Sequence, residues 1–177
     1  MNKTKKYDAS SIEVLEGLEP VRRRPGMYIG GTDNTSMHHL FSEVIDNAMD
    51  EAVANFASFI EVKVENDNTI TVYDNGRGIP IDPHPSFPNK SALEVIMTTL
   101  HAGGKFSNKV YQTSGGLHGV GISVVNALSE FVDVEIYRDK KIYNQRFSKG
   151  HPTSKLKELK KKTNKKGTKI SFKPDPE

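Results

Sequence analysis

The run Ile60-Glu-Val-Lys-Val-Glu-Asn-Asp-Asn-Thr-Ile-Thr-Val-Tyr-Asp-Asn-Gly-Arg-Gly78 holds two β-prone segments around a polar turn. Residues 60–64 alternate apolar and polar, residues 69–73 are β-branched and aromatic, and Asn66-Asp67-Asn68 lies between them, a pattern that predicts a β-hairpin. Asp74 follows the second strand directly, and Asn75-Gly76-Arg77-Gly78 leads away from it. Either this is a plain turn after a hairpin, or an acid is held at a strand end where glycines let a ligand approach the backbone.

Outward from the hairpin, residues 131–137 and 141–147 predict a second one around Arg138-Asp139-Lys140, and residues 168–172 a last strand. Helices are expected at 12–18, capped by Ser10 or Ser11, at 37–55, capped by Thr35 or Ser36, and at 92–100 and 122–128. Pro and Gly punctuate residues 19–31, four prolines fall in 79–90, and glycines crowd 101–121, so these stretches read as loops. There is no internal repeat. Hairpins separated by helices, without βαβ alternation, predict an α+β fold: a mixed sheet with helices on one face.

A chain of 177 residues suits one domain, here 11–177, with residues 1–10 as a polar N-terminal arm. With 35% apolar residues, 27% charged residues and a mean hydropathy of −0.56, it can bury one modest core. The absence of cysteine excludes disulfides, thiolate metal sites and a cysteine nucleophile. No apolar run approaches the roughly 20 residues of a membrane span, and basic residues 1–6 lead into no apolar segment. A soluble, cytoplasmic protein with no membrane partner is expected. The net charge of +3 is uneven, since nine lysines and a single acid, Glu158, fall within residues 149–169. The rest of the chain carries 16 bases against 21 acids. Such a run can touch nucleic acid, but alone it reads as a solvated loop.

On the long helix at 37–55, Met37, Leu40, Phe41, Val44, Ile45, Ala48, Met49 and Ala52 share one arc, and His39, Glu43, Asp46, Asn47 and Asp50 the opposite one. His39, Glu43 and Asn47 are spaced four apart and line up along the helix. The stripe contains no Lys or Arg and stacks carboxylates. It sets an imidazole one turn from an acid and an amide one turn further on, which suits a general base, its orienting partner and a metal-ligating oxygen. From spacing alone, a solvated face fits equally well. Gly115-Gly116-Leu117-His118-Gly119-Val120-Gly121 leads straight into a helix, where exposed N–H groups and the helix dipole can cradle phosphate. It is not a P-loop, because no G-x-x-x-x-G-K-[ST] string occurs.

Six strings together resemble one family: Tyr7-Asp8-Ala9-Ser10-Ser11-Ile12, the loop at 20–30, Glu43-Val-Ile-Asp-Asn47-Ala-Met-Asp-Glu51-Ala, Asp74-Asn-Gly-Arg-Gly-Ile-Pro80, His101-Ala-Gly-Gly-Lys-Phe106 and Ser114-Gly-Gly-Leu-His-Gly-Val-Gly121. The chain is similar, from residue 7 to about 173, to the N-terminal ATPase domain of the B subunits of bacterial type IIA DNA topoisomerases. These are GHKL ATPases, grouped with Hsp90, MutL and the histidine kinases. Asn108, Lys109 and the loop Asp82-Pro-His-Pro-Ser-Phe-Pro88 resemble topoisomerase IV more than gyrase. The resemblance implies the GHKL (Bergerat) two-layer α/β sandwich. It also implies an ATP-binding and ATP-hydrolysing domain with Mg²⁺, whose closure as a dimer drives DNA strand passage, decatenation and supercoil changes.

Roles follow by resemblance. Glu43 is the general base, oriented by His39, and Asn47 the Mg²⁺ ligand. Asp74 accepts from the adenine N6 amine. Arg77 lies over the adenine and pairs with Glu51, Gly78, Ile79 and Pro80 wall the pocket, and Thr168 supports Asp74. Lys105, Tyr111, Gly116, Leu117, His118, Gly119, Val120 and Gly121 form the lid over ribose and phosphates. Adenine-site inhibitors are expected to contact Asp74, Arg77, Arg138 and Thr168. Tyr7 belongs to an arm that crosses to a second copy of the same subunit. The implied partners are the topoisomerase A subunit, in an A₂B₂ heterotetramer, and DNA; the implied location is bacterial cytoplasm at the nucleoid. The family's transducer, TOPRIM and C-terminal regions have no counterpart in these residues, so a truncated ATPase domain is expected, weakly active alone. A histidine-kinase-like phosphotransferase would lack a water-activating Glu at position 43, and an Hsp90- or MutL-type nucleotide clamp would lack the loop at 20–30.

Overall fold

Alternating apolar and polar residues in the two expected hairpins generate one sheet, and the amphipathic helices cover a single face of it. The structure, a computed structural model, describes residues 13–102 and 121–176. In chain order the elements are α1 (Glu19–Arg23), α2 (Gly26–Ile29), α3 (Asn34–Val53), β1 (Ile60–Val64), β2 (Ile70–Asp74), β3 (Pro83–His84), β4 (Phe87–Ser91), α4 (Ala92–Thr98), α5 (Gly121–Ala127), β5 (Ser129–Arg138), β6 (Lys141–Ser148), β7 (His151–Pro152), β8 (Lys157–Leu159) and β9 (Gly167–Pro174). The main sheet has the order β1-β2-β9-β5-β6-β7, with β8 also on β6, and its pairs run antiparallel; β3 and β4 form a separate ribbon.

Register gives the sheet its two characters. Across β2, β9, β5 and β6 the aligned rows are Ile70–Phe172–Val132–Phe147, Val72–Ile170–Val134–Gln145 and Asp74–Thr168–Ile136–Tyr143. The first two rows are the floor of the core, closed by Leu40, Val44 and Ala48 of α3, Leu93 and Met97 of α4, and Val124 and Val125 of α5. The third row puts Asp74 and Thr168 side by side at the sheet end, on the buried face. The intervening positions form a polar outer face, where Thr71 and Ser171 share a hydrogen bond of 2.8 Å and Lys169 pairs with Glu135 at 2.8 Å.

The α+β arrangement with helices on one face is as expected, and both hairpins form. Several local expectations are corrected. Residues 13–18 are not helical: Gly17 takes a left-handed φ of 59°, and α1 starts only at Glu19, with Pro20 in its first turn. Residues 19–29, expected as loop, therefore hold two short helices; the caps proposed at Ser10 and Ser11 lie outside the described residues. The long helix is capped by Asp33, not Thr35 or Ser36: Asp33 Oδ1 accepts from the Ser36 N–H at 2.8 Å and from its hydroxyl at 2.7 Å. The proline-rich stretch contains the β3–β4 ribbon, and the lysine-rich one contains β7 and β8. Among the described residues, no helix is long and apolar enough to cross a membrane.

Candidate active site

Two groups of side chains meet along α3. At the sheet end, Asp74 is 7% exposed and accepts from the Gly76 N–H at 2.8 Å. Burial pushes its carboxyl up to about 6, the neighbouring Glu51 charge adds to the rise, and N–H bonds from Gly76 and Thr168 oppose it. Beside it, Thr168 Oγ1 accepts from the Ile79 N–H at 3.1 Å, and Arg138 Nη1 donates to the Gly78 carbonyl at 3.1 Å. Gly167 has φ 104°, and a Cβ there would overlap the Asp74 carbonyl, so the start of β9 lies directly against the Asp74 backbone. Glu51 receives Arg77 through three bonds: Nη2 at 2.6 Å, Nε at 3.1 Å and the backbone N–H at 2.9 Å. Glu51 takes the edge of the guanidinium, and one of its faces is stacked, with Cζ 3.7 Å from the Phe56 ring centroid.

The second group sits two turns earlier on α3. Glu43, Asn47 and Glu51 are at i, i+4 and i+8, so they lie on one line spanning about 12 Å. Asn47 Nδ2 donates to the Glu43 carbonyl at 2.7 Å, which turns its Oδ1 away from the helix backbone. The Glu43 carboxylate lies against the start of α5: a Cβ on Gly121 would overlap Glu43 Oε2. With no Cβ at 121, the carboxylate reaches the point where the α5 backbone N–H groups begin.

The polar stripe is therefore not a uniformly solvated face. His39 is exposed, Glu43 and Asn47 are half-buried, and Asp50 is 2% exposed. The helical wheel misjudged the C-terminal end: Met49, assigned to the core arc, is 46% exposed. Of the expected site residues, Glu51, Asp74, Arg77, Gly78, Ile79, Arg138 and Thr168 come together, as do Glu43, Asn47 and Gly121. Pro80 follows them on the surface, and His39 stands one turn before Glu43. Tyr7, Lys105, Tyr111, Gly116, Leu117, His118, Gly119 and Val120 lie outside the described residues. Sequence reasoning missed Phe56, whose stacking on Arg77 is tertiary. It also missed Asn75, whose Oδ1 accepts from the Ser58 and Phe59 N–H groups at 2.8 and 2.9 Å and so fixes the turn leaving β2. The Asp-Asn-Gly run was the available signal, since Asn side chains commonly close such turns.

Residues 32–177 match the family of histidine kinase-, DNA gyrase B-, and HSP90-like ATPases. The chain belongs to this ATPase family. Within it, the chain is 65% identical over 173 residues to the B subunit of DNA topoisomerase 4 from Rickettsia felis, a match covering 97% of this chain and 26% of the relative. It is 57% identical over 171 residues to the B subunit of DNA gyrase from Thermotoga maritima, covering 97% of this chain and 27% of that one. Among solved structures, the 43K ATPase domain of Thermus thermophilus gyrase B, crystallised with an aminocoumarin, superimposes with a TM-score of 0.77 at 47% identity, covering 90% of this chain and 39% of that one. The two-layer α+β fold is thus that of the gyrase B ATPase domain. This ATPase-family chain spans about a quarter of the length of the curated relatives it matches.

Proposed function

We propose that residues 11–177 form the ATP-binding and ATP-hydrolysing domain of the B subunit of a type IIA DNA topoisomerase, of topoisomerase IV rather than gyrase type, with residues 1–10 as an exchanging arm. What carries this is the pairing, along one face of α3, of a buried strand-end carboxylate at Asp74 with a carboxylate at Glu43 held against the start of α5. The first suits a base edge and the second the water that attacks a phosphate. The higher identity to a topoisomerase 4 relative, 65% against 57% for a gyrase B, supports the subtype.

Asp74 offers an ionised acceptor to the adenine N6 amine. Guanine presents a carbonyl at that edge, so two acceptors would face each other, and adenine is selected. Arg77, held by Glu51 and Phe56, presents a flat cationic surface beside the pocket; Gly78, Ile79, Pro80 and Thr168 form its wall, and Arg138 its rim. Glu43 takes the proton of the water that attacks the γ-phosphate, and His39 orients it. Gly116, Leu117, His118, Gly119, Val120 and Gly121 supply N–H groups to the phosphates, with Lys105 and Tyr111 over the ribose and Tyr7 reaching in from a partner copy.

Asn47 is the residue that fits Mg²⁺. With Nδ2 committed to the Glu43 carbonyl, its Oδ1 remains as a hard oxygen donor. Among the described residues no cluster of three or more His, Cys, Asp or Glu could hold a metal, which suits an ion carried mainly by phosphate oxygens. When bound, the ion neutralises developing phosphate charge. The partners proposed are a second copy of the same subunit on ATP binding, the topoisomerase A subunit in an A₂B₂ assembly, DNA, and inhibitors of the adenine site.

The deciding experiment is Glu43→Ala placed in the full subunit, with nucleotide binding and phosphate release measured on the same protein. Binding is expected to persist while hydrolysis falls about 10²–10⁴-fold, the usual worth of a general base. Near-native turnover removes Glu43 from that role.

A further inference from the structure

The lysine-rich stretch between β7 and β9 has no part in the nucleotide site, yet it is built rather than loose. β8 pairs with β6 through Ile142↔Leu159, Tyr143↔Glu158 and Asn144↔Lys157. The Thr163 N–H then donates to the Lys140 carbonyl at 3.1 Å, and Thr163 Oγ1 accepts from the Lys165 N–H at 3.0 Å. Lys165 Nζ sits 5.5 Å from the Tyr73 ring centroid and 5.9 Å from that of Tyr137, and the Tyr73 hydroxyl donates to the Lys166 carbonyl at 2.9 Å. The segment thus crosses the sheet end from β6 to β2. That is three strand spacings, or about 14 Å.

Along this path Lys155, Lys157, Lys160, Lys161, Lys162, Lys165 and Lys166 are all exposed, and Lys140 of the β5–β6 turn and Lys141 at the start of β6 lie beside them. The acids nearby are Asp139 in that turn, Glu158, which pairs with Lys141 at 3.0 Å, and Glu135, which pairs with Lys169 at 2.8 Å and lies within electrostatic reach of Lys165. Lys155, Lys157, Lys160, Lys161, Lys162 and Lys166 form no ion pair among the described residues. A folded surface that concentrates cations with too few acids to balance them bears a repulsive cost, which a polyanion relieves.

We propose that residues 155–166, with Lys140, form a binding strip for the phosphate backbone of duplex DNA. Duplex DNA carries a phosphate every 3.4 Å along each strand, so a strip of about 14 Å spans roughly four on one strand, and exposed lysines at that density match it as point charges. A backbone contact of this kind reads no sequence. An acidic membrane is the poorer match, because the strip has no apolar wedge: Leu156 packs on the core, and Leu159, 39% exposed, is its single exposed apolar side chain. The choice of DNA as the polyanion rests on the topoisomerase reading; the strip itself does not.

The test is fluorescence anisotropy of a labelled 30-base-pair duplex with the full chain, between 50 and 200 mM KCl. The triple variant Lys160→Gln, Lys161→Gln, Lys162→Gln is compared, with the triple Arg variant as a charge-preserving control. A strip neutralising about four phosphates loses about 10²-fold in affinity across that range, and the Gln variant's log–log slope is expected to be shallower by about 2.7, with Arg restoring it. Equal slopes for native and Gln proteins overturn the proposal, as does tighter binding to phosphatidylserine vesicles than to the duplex. Calorimetry of an adenine nucleotide on the same proteins separates the two readings: its absence in the native chain defeats the nucleotide site, while the slope comparison still decides the strip.

Discussion

Burial at the end of β2 holds the Asp74 carboxyl at about 6, against an ordinary value of 3.8, because desolvation and the nearby Glu51 outweigh the N–H bonds from Gly76 and Thr168. The folded value is the higher one, so between about pH 3.8 and 6 the folded state holds more protons than the unfolded one, and stability falls as pH rises through that window. Above pH 6 the folded chain carries an ionised group that it disfavours. A shift of about two pH units corresponds to roughly 3 kcal/mol at most. Asp74→Asn is accordingly expected to be about 1–3 kcal/mol more stable than the native chain at pH 7.5, with the difference closing towards pH 5. The same variant loses the charged acceptor for N6, so an adenine-site ligand should bind about 1.5–3 kcal/mol more weakly. Native affinity for that ligand should fall as pH drops below about 6. Thermal melts and calorimetry across pH 5–8 read all three. A less stable Asp74→Asn protein, or pH-independent binding, would mean that the carboxylate is not held for a ligand.

At the scale of elements, the site depends on how closely β9 enters beside β2. Gly167 and Gly30 both have positive φ, 104° and 79°, but a Cβ at Gly30 meets nothing within 4 Å, whereas one at Gly167 overlaps the Asp74 carbonyl. Both alanine variants bear the backbone strain, about 1–2 kcal/mol; only Gly167→Ala must also push β9 off β2. Gly167→Ala is expected to lose at least 1 kcal/mol more than Gly30→Ala in denaturant melts, and to lose adenine affinity, which Gly30→Ala keeps. Equal losses would show that strain alone, and not the close approach, makes glycine necessary at 167. The strands at issue were legible in the sequence because alternation and turn residues are local signals, as at 60–74 and 131–147. The cap at Asp33, the helices at 19–29 and β8 inside the lysine run were not, since each depends on what the segment packs against. The same division runs through the site. The Glu43–Asn47–Glu51 line follows from helical spacing, but Glu43 at Gly121, Phe56 under Arg77 and the buried Asp50 arise only when distant segments meet.

Over the whole molecule, the first and last described segments are tied by one carboxylate. The side chain of Asp175 is 7% exposed and takes both Arg22 Nη1 and Nη2 at 3.0 Å and Lys149 Nζ at 3.1 Å, while its backbone N–H donates to the Leu128 carbonyl at 2.9 Å. Arg22 Nη1 also donates to the Ala127 carbonyl at 2.8 Å, closing the C-terminal end of α5. The knot therefore joins α1, the end of α5, the β6–β7 turn and the end of β9. Arg22 is partly solvated, so the Coulomb gain is modest, but removing it leaves a buried carboxylate with less compensation, and that asymmetry sets the expected effect. Arg22→Ala and Asp175→Asn are each expected to cost about 1–3 kcal/mol, a fall in Tm of roughly 2–10 °C for a chain of this size. The double variant should cost less than the sum by about 1 kcal/mol, because both remove one interaction. Asp175 lies eight residues along β9 from Gly167, about 25 Å from the adenine end of the sheet, so adenine-ligand affinity at a temperature where all variants are folded should be native. Strict additivity would show that Arg22 and Asp175 act through separate contacts. A matching loss of adenine affinity would show that the knot sets the position of β9 at its far end, and that the two ends of the sheet are mechanically one unit.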